Sequence, residues 1–260
     1  MTPKAAAPAA RKKGRTHQQT ADRFSTAIPP EQIRWFGSRL RAWYRRHARD
    51  LPWRRTRDPY RILVSELMLQ QTQVSRVVDY YERFLTRFPT LSHVAESPLD
   101  HVLEGWQGLG YYARARNLHR LARELSPPGS AARALPSDTD SLRALPGVGA
   151  YTAGAIATFA YEKRAPLVDT NVARVLLRFF APRHAAPERI KGALGQRIAW
   201  TLAERTLPAR AGTAVWQHNQ ALMELGALVC TARIARCDAC PLRRECKSAF
   251  DPRIYKVIDD

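Results

Sequence analysis

All four cysteines of this 260-residue chain lie between Cys230 and Cys246, spaced Cys230-x6-Cys237-x2-Cys240-x5-Cys246. No other feature limits the local fold as much. Thiols scattered through a small secreted domain suggest disulfides, whereas a tight group in a chain that opens without a signal-peptide pattern suggests a metal centre. Four thiolates on one short loop can enclose an iron–sulfur cluster or a zinc ion. Tetrathiolate zinc sites commonly use two short cysteine pairs, and only Cys237 and Cys240 have that form. Arg233, Arg236, Arg243 and Arg244 stand among the thiols, so the loop is basic as well.

The rest of the chain predicts helices. Apolar residues recur at helical spacing and strand-like alternation is absent, which makes the fold class all-α. Asp58-Pro59 reads as a helix start, since Asp caps free amides and Pro suits the first helical position. That helix carries Leu63 and Leu67 on one face and ends at the polar run Gln70-Gln71-Thr72-Gln73. Val74, Val77, Val78, Tyr81 and Leu85 mark the next helix, and Ser97-Pro98 begins a short one reaching Trp106. Gly108-Leu109-Gly110 turns the chain into a basic helix containing Arg114, Arg116, His119 and Arg120. Ser137 is placed to cap a helix reaching Leu145. Further helices follow from Ala150 to Tyr161, from Asp169 to Phe180, from Ala193 to Leu207 and from Ala214 to Val229. Residues 1–28, rich in Ala, Pro, Lys and Arg, read as a flexible basic arm.

Lys and Arg number 42 against 23 acidic residues, a formal charge of +19. Such an excess favours a polyanionic partner, because every phosphate neutralised releases condensed counterions. No apolar stretch is long enough to span a bilayer, so no membrane role is expected, and the location expected is cytoplasmic, nucleoid-associated in a bacterium.

Two patterns point to chemistry. Leu145-Pro-Gly-Val-Gly149 joins two helices. Glycines there allow positive φ and a close approach of backbone amides to a phosphate, although a glycine turn that binds nothing has the same residues. Gly147, Val148 and Gly149 are the candidate DNA contacts. The second pattern is a pair of isolated carboxylates. Glu66 interrupts the apolar run Ile62-Leu63-Val64-Ser65-Glu66-Leu67-Met68-Leu69. Desolvation there favours its protonated form and suits it to protonate a departing base, unless it is simply exposed between apolar neighbours. Asp169 lies at a helix mouth, where a retained charge could stabilise an oxocarbenium-like sugar or merely cap the helix.

Several segments together resemble one family. Ser65-Glu66-Leu-Met-Leu-Gln-Gln-Thr-Gln-Val74, Gly108-Leu-Gly-Tyr-Tyr-Ala-Arg-Ala-Arg-Asn-Leu118, Val168-Asp-Thr-Asn-Val-Ala-Arg-Val175 and Leu51-Pro-Trp-Arg54 are similar to the MutY-type adenine DNA glycosylases of the endonuclease III superfamily. The cysteine spacing matches that superfamily's [4Fe–4S] loop, and Leu145 to Gly149 looks like its helix–hairpin–helix motif. The resemblance runs from about Ile33 to Cys246.

The resemblance implies a six-helix barrel domain at 59–165, packed on a helical [4Fe–4S] domain formed by 29–58 and 166–250, with the active site in the cleft between them and a tail at 251–260. It implies a monomer that binds double-stranded DNA at a mispaired or damaged base, flips the base and hydrolyses its N-glycosidic bond. Glu66 matches the acid that protonates adenine, Asp169 the carboxylate facing the sugar cation, and Asn171 its polar neighbour. Gln71 matches a residue wedged beside the flipped nucleotide; Arg49, Trp53, Tyr111 and Gln220 match positions lining or supporting the base pocket, and Arg54, Leu69, Thr72 and Gly110 accompany them. Cys230, Cys237, Cys240 and Cys246 match the cluster ligands. Tyr151 stands where the related lyases carry a nucleophilic Lys; a phenol forms no Schiff base, so a monofunctional enzyme is expected. Full-length members carry a further domain that recognises 8-oxoguanine, and only 14 residues follow Cys246 here. A thymine/uracil mismatch branch lacks that domain and shares the cysteine loop. The expectation is therefore adenine removal opposite guanine or 8-oxoguanine, with thymine or uracil removal, or non-catalytic binding of damaged DNA, as the alternatives.

Overall fold

The computed structural model describes residues 19–24, 27–127, 129 and 131–252. Among these the chain is helical, and the only β pairing is one isolated bridge between Cys230 and Ala235. No described helix is long and apolar enough to cross a membrane. The chain divides into two compact units, the described residues of Met1–Ala48, Pro166–Arg210 and Gln217–Asp260 forming the first and Arg49–Ala165 with Ala211–Trp216 the second.

The second unit holds α2 (Pro59–Leu69), α3 (Val74–Arg87), α4 (Leu91–Glu96), α5 (Leu99–Gly105), α6 (Ala113–Leu125), α7 (Thr139–Arg143) and α8 (Ala150–Phe159). Asp58 caps α2 as its sequence predicts, its carboxylate accepting from the Tyr60 and Arg61 amides. Ile62 through Met68 are all buried, so α2 is a central helix covered around its whole circumference. It packs against α3, α6 and α8. The small residues of α8, buried from Thr152 through Phe159, permit that close approach. Helix α6 instead has one apolar side, Ala115, Leu118, Leu121, Ala122 and Leu125, and exposes Arg116, Arg120 and Arg123. Burying each such leucine contributes about 2 kcal/mol, which fixes the face that α6 turns inward.

The first unit holds α1 (Pro30–His47), α9 (Thr170–Phe180), α10 (Pro187–Lys191), α11 (Ala193–Thr206) and most of α12 (Thr213–Leu228). Helix α9 is buried from Val172 through Phe180 and packs against α10 and α11. Its aromatic end meets α1, where the Phe36 ring lies 4.8 Å from Phe179 and 5.1 Å from Phe180.

Three boundaries differ from the sequence expectation. Residues 49–58 belong with the second unit, because the turn Pro52–Arg54 packs on α2 and Trp53 meets Tyr81 edge-on at 5.5 Å. Ala211–Trp216 joins it too: the Gly212 amide donates to the Glu162 carbonyl, and Arg57 lies 4.4 Å over the Trp216 ring. The cap of α7 is Asp138 rather than Ser137, accepting from the Ser141 amide one residue further on. Within the arm expected at 1–28, residues 19–24 are helical, Ala21 and Ile28 are buried, and Phe24 packs edge-on against His184. Residues 1–18 and 25–26 of that arm, and 253–260 of the tail, lie outside the described residues.

Candidate functional site

In the second unit, Glu66 sits in the middle of α2 and is 4% exposed. The alternative of an exposed acid between apolar neighbours therefore does not hold. Ser65 beside it is spent internally, its hydroxyl donating to the Ile62 carbonyl. Leu69 is half-buried at the end of α2, and Gln70 then reaches across to Thr152 Oγ1 at 3.4 Å. That contact joins the end of α2 to the first turn of α8, where Tyr151 is half-buried.

Besides Glu162 at φ 51°, two residues of this unit other than glycine lie in the left-handed region, Gln71 at φ 58° and Tyr111 at φ 49°. Both side chains are exposed, Tyr111 to 59%. Gly110, at φ 72°, has open space where a Cβ would stand. The hairpin Leu145–Gly149 is closed by the Val148 amide donating to the Leu145 carbonyl, with Val148 buried and both glycines exposed. Gly147 needs its glycine: its φ is +77°, and a Cβ there would fall 2.6 Å from Asn117 Cβ on α6. Trp53 is buried against Tyr81, and Arg54 donates to the Arg49 carbonyl at 3.0 Å. A cleft of about 520 Å³ in this unit is lined by Pro52, Arg55, Arg61, Tyr81, Glu82 and their neighbours, none of them among the expected pocket residues.

In the first unit, Asp169 is the N-cap of α9. Its Oδ1 accepts from the Val172 amide at 2.7 Å and its Oδ2 from Asn171 Nδ2 at 3.0 Å. Burial raises its carboxyl above the usual range, while those hydrogen bonds and nearby Arg174 pull the other way. Arg174 then extends the network: its Nη2 donates to Asn171 Oδ1 and to the Gly226 carbonyl, each at 2.7 Å, and its Nε to the Cys230 carbonyl at 2.6 Å. Capping and a charge held for chemistry are thus compatible, because only one oxygen serves the helix. Gln220 is buried on α12.

Cys230, Cys237, Cys240 and Cys246 line one small pocket together with Arg178, Arg236 and Arg243. Burial pushes the Cys240 thiol up to about 12 and the Cys246 thiol up to about 11, and the neighbouring cysteines add to both shifts. Arg178 Nη1 stands 3.3 Å from Cys230 Sγ and also donates to the Thr231 carbonyl at 2.7 Å. Among the described residues, no group of three or more His, Cys, Asp or Glu side chains has the geometry to hold a metal ion. The four thiols border a pocket without closing on a point.

Sequence reasoning missed three buried cations: Arg114, Arg174 and Arg178. It counted them toward a basic surface. A signal was present: Arg114 is in helical register with Leu118, Leu121 and Leu125, and Arg174 with Arg178, so each shares a face with buried neighbours.

A family model described as "HhH-GPD superfamily base excision DNA repair protein" matches residues 64–199. The chain is 36% identical over 216 residues to the adenine DNA glycosylase of Buchnera aphidicola subsp. Baizongia pistaciae, covering 83% of this chain and 58% of that protein. It is 44% identical over 204 residues to the adenine DNA glycosylase of Mycobacterium tuberculosis, covering 78% and 64%. The chain thus spans about six-tenths of the length of these two relatives. Among solved structures, a thermostable thymine-DNA glycosylase superposes with a TM-score of 0.73 at 29% identity, covering 84% of this chain and 97% of that one.

Proposed function

Because the chain belongs to the HhH-GPD superfamily of base excision DNA repair proteins, we propose that it is a monofunctional DNA glycosylase. Its substrate is adenine mispaired with guanine or 8-oxoguanine in double-stranded DNA, on which it acts as a cytoplasmic monomer. The observation that carries this reading is Glu66, a carboxyl group taken out of water inside an apolar helix.

Extruding a nucleotide from the duplex costs a few kcal/mol, offset by phosphate contacts and by stacking on protein side chains. Glu66 gives its proton to the departing base, which leaves with the bonding electrons of the N-glycosidic bond. Asp169 stabilises the cationic sugar through Oδ2, the oxygen that Asn171 Nδ2 also holds, while its Oδ1 caps α9. Because Tyr151 has no amine with which to form an imine, water completes the substitution at the sugar carbon, and the proton it releases restores Glu66. The basic charge and the exposed hairpin glycines suit phosphate contacts.

Cys230, Cys237, Cys240 and Cys246, the four thiols around one pocket, would hold a [4Fe–4S] cluster. A four-iron cube takes its thiolates at separate corners, so ligands around a pocket suit it better than they suit one tetrahedral ion. Arg178 supplies a cation beside the sulfur of Cys230. Such a cluster would cross-link the loop.

Superposition on the thymine-DNA glycosylase supports a second reading, removal of thymine or uracil opposite guanine. The higher identity to adenine glycosylases favours the first. Single-turnover assays on A·8-oxoguanine, A·G, T·G and U·G duplexes, each followed by alkali, separate them. The expected result is alkali-dependent cleavage at adenine, abolished by Glu66→Gln with DNA binding largely retained. Pyrimidine preference would select the second reading, and undiminished base release by the variant would remove Glu66 from its role.

A further inference from the structure

Arg114 opens α6 and is 6% exposed. Its Nη1 donates to the carbonyls of Leu67, Met68 and Gln70 at 2.8, 2.7 and 2.6 Å. Its Nη2 donates to those of Leu109 and Gly110 at 3.2 and 2.9 Å, and both nitrogens reach Thr72 Oγ1 at 3.2 Å. The Trp106 and Tyr111 rings flank the guanidinium, each centroid 5.5 Å away. No carboxylate is among these partners, although a buried cation is ordinarily paired with one. This cation instead meets oxygens from two segments that lie some forty residues apart in the chain.

Each segment carries one strained residue, Gln71 in the first and Tyr111 in the second. Left-handed φ outside glycine costs free energy and persists only where the surroundings over-determine it. Neither fills the core: Gln71 is exposed, and Tyr111 lies against the guanidinium with 59% of its surface exposed. Arg114 also holds the second segment from its own end, its amide donating to the Tyr111 carbonyl at 3.0 Å. A planar guanidinium spreads its N–H groups over several acceptors, which the compact ammonium of lysine cannot do.

We propose that Arg114 is a positioning residue that ties segments 67–72 and 109–111 into one rigid support, so that Gln71 and Tyr111 meet the duplex as a fixed pair. This role rests on the glycosylase reading above. Ordering both loops before DNA arrives removes that cost from base extrusion.

The test compares Arg114→Lys with the parent in two ways. Hydrogen exchange on the free protein reads the loops without any substrate. Lysine should speed exchange at the amides of Thr72 and Leu109 together, while α2 and α8 keep their protection. Stopped-flow fluorescence of 2-aminopurine beside the target base reads extrusion. Lysine should slow it roughly tenfold, and by less than about twofold in a Gln71→Ala/Tyr111→Ala background. Unchanged exchange, a change in one segment only, or a full tenfold effect in the double variant overturns the proposal. Loss of extrusion by the parent on every duplex, with coupled exchange intact, sinks the glycosylase reading and leaves the link between loops standing. If the lysine variant fails to fold, Thr72→Val removes the hydroxyl that both nitrogens reach. It should loosen both segments in the same way to a smaller degree, and unaltered exchange would refute the link.

Discussion

Gly226 offers the sharpest test of how the surroundings of Asp169 are built. It lies inside α12, and a Cβ placed on it would fall 2.7 Å from Asn171 Cβ and 2.9 Å from the Asn171 carbonyl oxygen. Gly226→Ala sets two effects against each other. Alanine is better than glycine in a helix interior by about 0.5–1 kcal/mol. Overpacking against atoms that cannot swing aside costs about 1–3 kcal/mol. Neither Asn171 atom is the far end of a flexible side chain, so relief requires α9 and α12 to separate. Separation strains the Arg174 contacts, which hold Asn171 and the Gly226 carbonyl with one nitrogen. A hydrogen bond from a charged donor contributes about 1.5–3 kcal/mol, so its loss adds to the destabilisation. The net expectation is a loss of about 1.5–5.5 kcal/mol. Urea unfolding followed by circular dichroism measures it, with single-turnover base release expected to fall as Asn171 leaves Asp169. A variant as stable as the parent, or more so, would show that helix propensity outweighs the close approach and would refute this account of the glycine.

Arg174→Met strips the donor from the Cys230 and Gly226 carbonyls and from Asn171, leaving buried acceptors behind. It should lower stability by about 3–5 kcal/mol in urea unfolding, and a loss below 1 kcal/mol would contradict the network. His218 is fully buried, neither ring nitrogen has a hydrogen-bond partner among the described residues, and burial with nearby Arg41 lowers its pKa to about 3. A depressed histidine pKa leaves stability intact above the unfolded value near 6.5 and removes it as pH falls from there toward 3. His218→Leu should therefore abolish about 2 kcal/mol of the parent's loss between pH 7 and pH 5, and equal slopes for the two proteins would reject the idea.

Much of the fold was legible because helix signals are local. Asp58-Pro59 begins α2 with a side chain and a ring that act within three residues, and Asp169 caps α9 in the same way. Helical spacing of apolar residues places α3 and α6 without reference to anything distant. The cap of α7 was misplaced by one residue because Ser137 and Asp138 both have the right chemistry, and only the backbone path decides which faces the free amides. Glu66 was legible as a carboxylate among apolar residues, but its burial depends on what packs against α2 from every side. Gly147 was read correctly as a turn residue. The Asn117 side chain that forbids a Cβ there comes from another helix.

By itself, then, the sequence determined helix positions, the cysteine spacing and the kinds of reactive group available, all properties set within a few residues along the chain. Tertiary structure alone decided that Arg114, Arg174 and Arg178 are buried struts and not surface charge. Leu67 and Arg114 are 47 residues apart in the chain, and Arg174 and Cys230 are 56 apart. Whether a guanidinium meets water or a cage of carbonyl oxygens depends on which helix ends packing brings to it, and no local pattern carries that information.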